Sequence, residues 1–138
     1  MGDLFPMLRG AQLHAHFLRG ELARAAERLA EARAANPPPS AAVALDSWEA
    51  MLACEHGGDA ARGFALSQAA MARAGEMESD QSRDWLTVNH AFLALEAGQP
   101  AVEVLEQLTR LASTHARMSP YQRGVLHYVT ARCHEQSG

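Results

Sequence analysis

Four glycines constrain this chain more than any other feature: Gly20, Gly58, Gly98 and Gly138 stand 38, 40 and 40 residues apart. Each ends a stretch of helix-forming residues, and glycine is the residue that enters the left-handed conformation closing an α-helix without a steric penalty. A regular period of this length belongs to stacked helical repeats. Counting back from the glycines brings the preceding helices into register. Thirteen residues before them lie Met7, Leu45, Trp85 and Val125; ten before, Gly10, Trp48, Val88 and Tyr128; seven before, Leu13, Met51, Ala91 and Ala131. Every column is apolar or small. Two amphipathic helices cannot bury their faces alone, so the pattern implies units stacked side by side around a continuous core.

Composition supports helices throughout. Of 138 residues, 28 are alanine; all 12 basic residues are arginine, and lysine and isoleucine are absent. Valine, threonine and the aromatic residues never gather into alternating runs, so the expected fold class is all-α. Start and stop signals divide the chain into about seven antiparallel helices, or three and a half helix-turn-helix repeats. The first helix runs from about Asp3 to Arg19, and the second from about Glu21 to Ala35, where Asn36-Pro37-Pro38-Pro39 stops it. Ser40 is placed to cap the third, which ends at Gly57-Gly58, and Asp59 to cap the fourth, which runs to about Ala74. Residues 76–82 form the longest loop. The fifth helix spans about Arg83–Ala97, Pro100 suits the first turn of the sixth, and Ser119-Pro120-Tyr121-Gln122 starts a seventh. The chain reads as a single domain, residues 1–138, with units at about 3–39, 40–82 and 83–118 and a final helix at 119–138.

With Gly20 as the turn glycine, Ala25, Leu29, Ala32 and Pro37 occupy the small, large, small and terminating-proline positions of a tetratricopeptide repeat, which the first unit resembles. Gly63, Ser67 and Ala70 keep the small positions of the second unit, whereas Glu103 stands where the third would carry a small residue. The period exceeds the roughly 34 residues of that family. The longer units, with Gly98-Gln99-Pro100-Ala101, Leu105-Glu106-Gln107-Leu108 and the helix from Leu126 to Gly138, are similar to the repeat region of MalT-like bacterial transcription activators. The resemblance implies a TPR-like solenoid that binds other proteins, as an adaptor or as the regulatory part of a bacterial transcriptional regulator.

In arrays of helix pairs the first helices line the concave side, and residues spaced 3, 4 and 3 apart face inwards. From the glycine register these rows are Met7, Gly10, His14 and Phe17; Leu45, Trp48, Leu52 and Glu55; Trp85, Val88, Phe92 and Leu95; and Val125, Tyr128, Arg132 and Glu135. The middle of this surface is apolar and aromatic, with charge towards its ends. Tryptophan, tyrosine and arginine dominate interface energetics, and an exposed apolar patch marks a binding site. The candidate partner-binding groove therefore comprises Met7, His14, Phe17, Leu45, Trp48, Leu52, Trp85, Val88, Phe92, Leu95, Tyr128 and Arg132. Its expected occupant is an amphipathic helix or apolar peptide segment of a partner protein. Trp48 and Trp85 also admit a plainer reading, as core between successive helices.

Three functions fit such a groove: an adaptor or regulatory interaction module, a secretion-type chaperone shielding a client, and a small-molecule sensor. In the sensor, Trp48, Trp85, Phe92 and Tyr128 with Arg132 would hold an acidic apolar ligand. The final helix, with Val125, Leu126, Tyr128 and Val129 and no helix after it, predicts a homodimer through that end.

Other chemistries find no support in the residues. Without lysine there is neither a Schiff base nor a phosphate-loop lysine. His14 and His16 point in different directions on a helix, and His127 and His134 lie about two turns apart, so no metal or cofactor is expected. GxSxG and HExxH patterns are absent, and an enzyme is not expected. Cys54 and Cys133 are too few and too distant to staple a secreted scaffold. A net charge of −4, with arginines scattered among glutamates, leaves no stripe for direct nucleic-acid binding. No apolar run approaches the roughly 18 residues of a membrane span, and residues 1–20 lack a signal-peptide core; the expected location is cytoplasmic.

Overall fold

The computed structural model describes residue 13 and residues 15–76, 80–111 and 120–137, without the side chains at 76, 80–82, 121, 122 and 137. All regular structure among them is helical. Residues 13 and 15–18 form α1; α2 (Leu22–Ala34), α3 (Pro39–Glu55), α4 (Ala60–Ala72), a short 3-10 turn (Ala74–Glu76), α5 (Asp80–Glu96), α6 (Ala101–Thr109) and α7 (Pro120–Ser137) follow.

Backbone chemistry accounts for the turns. Gly20, Gly58 and Gly98 have φ of 76°, 66° and 85°, a conformation that costs an L side chain roughly 1–2 kcal/mol. At Gly20 the glycine N–H donates to the Phe17 carbonyl at 3.0 Å and the Glu21 N–H to that of His16 at 2.9 Å. Gly98 repeats this geometry, with Leu95 at 3.1 Å and Gln99 reaching Ala94 at 2.9 Å. The paired bonds satisfy carbonyls that a helix end otherwise leaves open. At Gly58 the preceding Gly57 widens the turn, and the Asp59 N–H reaches one residue further back, to Ala53, at 3.0 Å. Asn36, with φ of 55°, ends α2 in the same left-handed region.

Helix starts follow the sequence less closely. Asp59 caps α4 as expected, its Oδ1 accepting the Arg62 N–H at 3.0 Å. The third helix, however, begins at Pro39 behind Pro38, not behind a Ser40 cap, because proline is preorganised for a first helical turn. Pro100 stands just outside α6 as its N-cap. Residues 80–82, expected in a loop, are helical; aspartate, glutamine and serine suit a first helical turn as readily as a loop. Gly138 and Ser119 lie outside the described residues.

The helices pack mainly on their sequence neighbours and the next helix but one. α3 lies against α2, α4 and α5, and α5 against α3, α4, α6 and α7. Leu13, Ala25, Leu29, Trp48, Met51 and Leu93 form a buried cluster joining α1, α2, α3 and α5. A second cluster, with Val88, Leu95, Val104, Leu108, Leu126 and Val129, joins α5, α6 and α7. Phe92 packs against both. Small residues set the closest approach: a Cβ on Gly63 of α4 would stand 2.7 Å from the Ala50 carbonyl oxygen and 3.2 Å from Leu93 Cδ2. Arg33 ties α2 to α3 through Asp46 at 2.7 Å and Glu49 at 2.6 Å. In the interior, Ser67 and His90 share a hydrogen bond of 2.8 Å, and His90 stacks on Phe64 with ring centroids 5.3 Å apart.

Candidate functional site

Burial divides the face read from the glycine register. Leu45, Trp48, Leu52, Val88 and Leu95 are all 7% exposed or less and belong to the core, which corrects their expected place in an open groove. The reason is neighbour packing: α3 and α5 have helices on either side, so the middle of their inward face is consumed by helix–helix contact. Phe17 sets its edge on Trp48 at a centroid distance of 5.1 Å, and Trp48 meets Trp85 at 5.9 Å. This aromatic column is sealed at Trp48, while Trp85 is half-buried. Met7 and His14 lie outside the described residues.

The remaining part stays open. A cleft of about 500 Å³ is lined, among the described residues, by Phe17, Leu18, Gly20, Leu22, Met51, Glu55, Phe92, Gly124, Val125 and Tyr128. It brings together three of the sequence-derived candidates, Phe17, Phe92 and Tyr128, from α1, α5 and α7. Leu18 and Tyr128 are 51% and 48% exposed. Large apolar groups left in water beside a concavity are the usual sign of something that covers them.

Local structure explains who reaches the cleft. The Gly20 turn reverses the chain so that Leu18 and Leu22, on its two sides, both line the cleft. On α7, Gly124 and Tyr128 are four residues apart and share a face. The Tyr128 ring lies 6.3 Å from that of Phe92, and its hydroxyl accepts a hydrogen bond from Arg132 at 2.7 Å. The Arg132 guanidinium lies 5.7 Å from the Tyr128 ring centroid and reaches Glu96 at 3.5 Å. Arg132, expected to offer its charge to a ligand, is thus held within the chain.

One acidic side chain joins this lining. Glu55 lines the cleft, and partial burial, then the nearby charge of Glu96, push its carboxyl above the usual range. Burial likewise raises the half-buried Cys54 thiol, with Glu55 and Glu96 adding to the effect, and burial raises that of Cys133. Neither cysteine is an activated nucleophile. Among the described residues no three His, Cys, Asp or Glu side chains are placed to hold a metal ion, and no helix is long and apolar enough to cross a membrane.

Sequence reasoning missed Leu18, Leu22, Met51, Glu55, Gly124 and Val125 as cleft residues. Met51 stood in the column seven before Gly58, and Glu55 and Val125 stood in the inward rows, so their signal was present. Leu18 and Leu22 were marked only by flanking the Gly20 turn, and Gly124 by nothing. Neither a protein-family model, nor a curated protein, nor a solved structure matches the chain.

Proposed function

We propose that this chain is a protein-interaction module, an adaptor or regulatory domain of helical-repeat type, whose cleft between α1, α3, α5 and α7 takes an apolar segment of a partner protein. One observation carries the reading: an apolar cleft of about 500 Å³ with Leu18 and Tyr128 exposed, beside a core in which Trp48 and its neighbours are fully packed. Hydrophobic surface that the chain cannot bury itself gains when a second molecule buries it. The repeat reading is supported by the matching turns at Gly20 and Gly98 and by the packing of each helix on its near neighbours. The reading is also supported by the helices that line the cleft, since α1, α3, α5 and α7 contribute to it and are the ones a TPR-like register makes the first of each unit.

Short random peptides displayed on phage, panned against the protein and against Gly124→Trp, test the proposal. Nothing lies within 4 Å of a Cβ at Gly124, so a side chain can start there towards the cleft that Gly124 lines, and an unchanged circular dichroism spectrum verifies that the tryptophan variant keeps its fold. Sequences that enrich on the wild type and lose binding to the plugged variant support the reading; no difference between the two overturns it. A small apolar ligand is the second reading, favoured by a cleft volume within the range of small-molecule pockets. A melting shift with an apolar fragment set, abolished in Gly124→Trp, would bring it forward.

A further inference from the structure

We infer that the segment seated in the cleft is basic, presenting an arginine or lysine to Glu55 beside the apolar side chain that fills the cavity. This rests on the cleft being a partner site and names the chemistry of its occupant.

Three observations converge on it. Glu55 lines the cleft, and among the described residues no basic side chain pairs with it. Arg132, which contacts the cleft residue Tyr128, is already engaged by Tyr128 and Glu96. Glu55 and Glu96 are also the last residues of α3 and α5, and neither helix carries a basic residue in its last turn. A helix C-terminus has a partial negative charge from its open carbonyls, where an acidic side chain is disfavoured and a cation favoured. Glu55 therefore brings a carboxylate and a negative helix end to the cleft, with the charge of Glu96 acting on it and the Arg132 guanidinium already engaged. Burial first, and then the charge of Glu96, raise the Glu55 carboxyl.

An incoming guanidinium or ammonium offsets this negative charge, and its aliphatic stem can lie along the apolar wall while the head stays at the water edge. Phe17 and Phe92 add aromatic faces that attract a cation. An acidic ligand, which a free Arg132 would have favoured, meets repulsion here instead.

The displayed peptides distinguish the outcomes. Sequences enriched on the wild type over Gly124→Trp are expected to carry arginine or lysine within one helical turn of an apolar anchor. A synthetic peptide of such a sequence, followed by fluorescence anisotropy, should bind Glu55→Gln about tenfold more weakly. Glu55→Arg should prefer the same peptide with its basic residue changed to glutamate, and wild-type binding should weaken as salt is raised. Glu55 is exposed and its charge is disfavoured where it stands, so these variants are expected to keep the wild-type circular dichroism and to melt no lower than the wild type. Enriched peptides with no basic bias, or equal affinity for wild type and Glu55→Gln, overturn this inference and leave the cleft reading standing. No enrichment over Gly124→Trp overturns both.

Discussion

Trp48 and Tyr128 occupy the same column of the glycine register, yet Trp48 is 7% exposed and Tyr128 48%. Trp48 sits on α3, which has α2, α4 and α5 packed about it; Tyr128 sits on α7, which lies on α5 and α6. Positions that share a column of the glycine register are therefore not equivalent surfaces. The number of helices around each one decides whether its aromatic residue is buried in the fold or left exposed.

The contrast breaks most easily at its sealed end. Trp48→Ala should cost about 3–5 kcal/mol in urea denaturation, the range for truncating a buried aromatic residue. Tyr128→Ala should cost only about 1 kcal/mol, chiefly its ring contact with Phe92, while abolishing peptide capture. Equal losses in the two variants would erase the distinction between sealed and open halves.

Two helical glycines sharpen the comparison with opposite signs. Gly63→Ala presses a methyl group from α4 against the Ala50 carbonyl of α3 and Leu93 of α5, and should destabilise by about 1–3 kcal/mol. Gly124→Ala, at the edge of the cleft, meets no atom within 4 Å and should instead raise the melting temperature, by up to about 1 kcal/mol of helix propensity. Thermal melts of both variants against wild type check the pair.

The sealed half should also be the acid-sensitive one. Burial holds the His90 imidazole below its ordinary pKa. Above about pH 6.5 the ring is neutral in both the folded and unfolded chain and adds no pH dependence. As the pH falls through that value the unfolded chain takes up a proton that the folded chain refuses, so stability drops until the lowered folded-state pKa is reached. A urea midpoint lower at about pH 5.5 than at about pH 7.5, with the difference reduced in His90→Leu, is the expected result.

Much of the fold was legible residue by residue. The turn glycines, the Asn36 stop and the Asp59 cap all act within a few residues of themselves. Legibility failed at Ser40 and at residues 80–82, where the same residue types suit a loop or a first helical turn. Of the residues read as one inward face, Phe17, Phe92 and Tyr128 line the cleft, whereas Leu45, Trp48, Leu52, Val88 and Leu95 are buried. Periodicity marks the inward face of a helix, but it is silent about which stretch of that face a neighbouring helix covers.

The amino-acid order alone settled where helices stop, because a left-handed turn residue and its two backbone hydrogen bonds are local matters of sterics and donor pairing. Tertiary structure decided which of the apolar residues remain in contact with water, since burial sums contacts from helices far apart in the chain. The same assembly brought Glu55 and Glu96, 41 residues apart in sequence, close enough for the charge of Glu96 to act on Glu55.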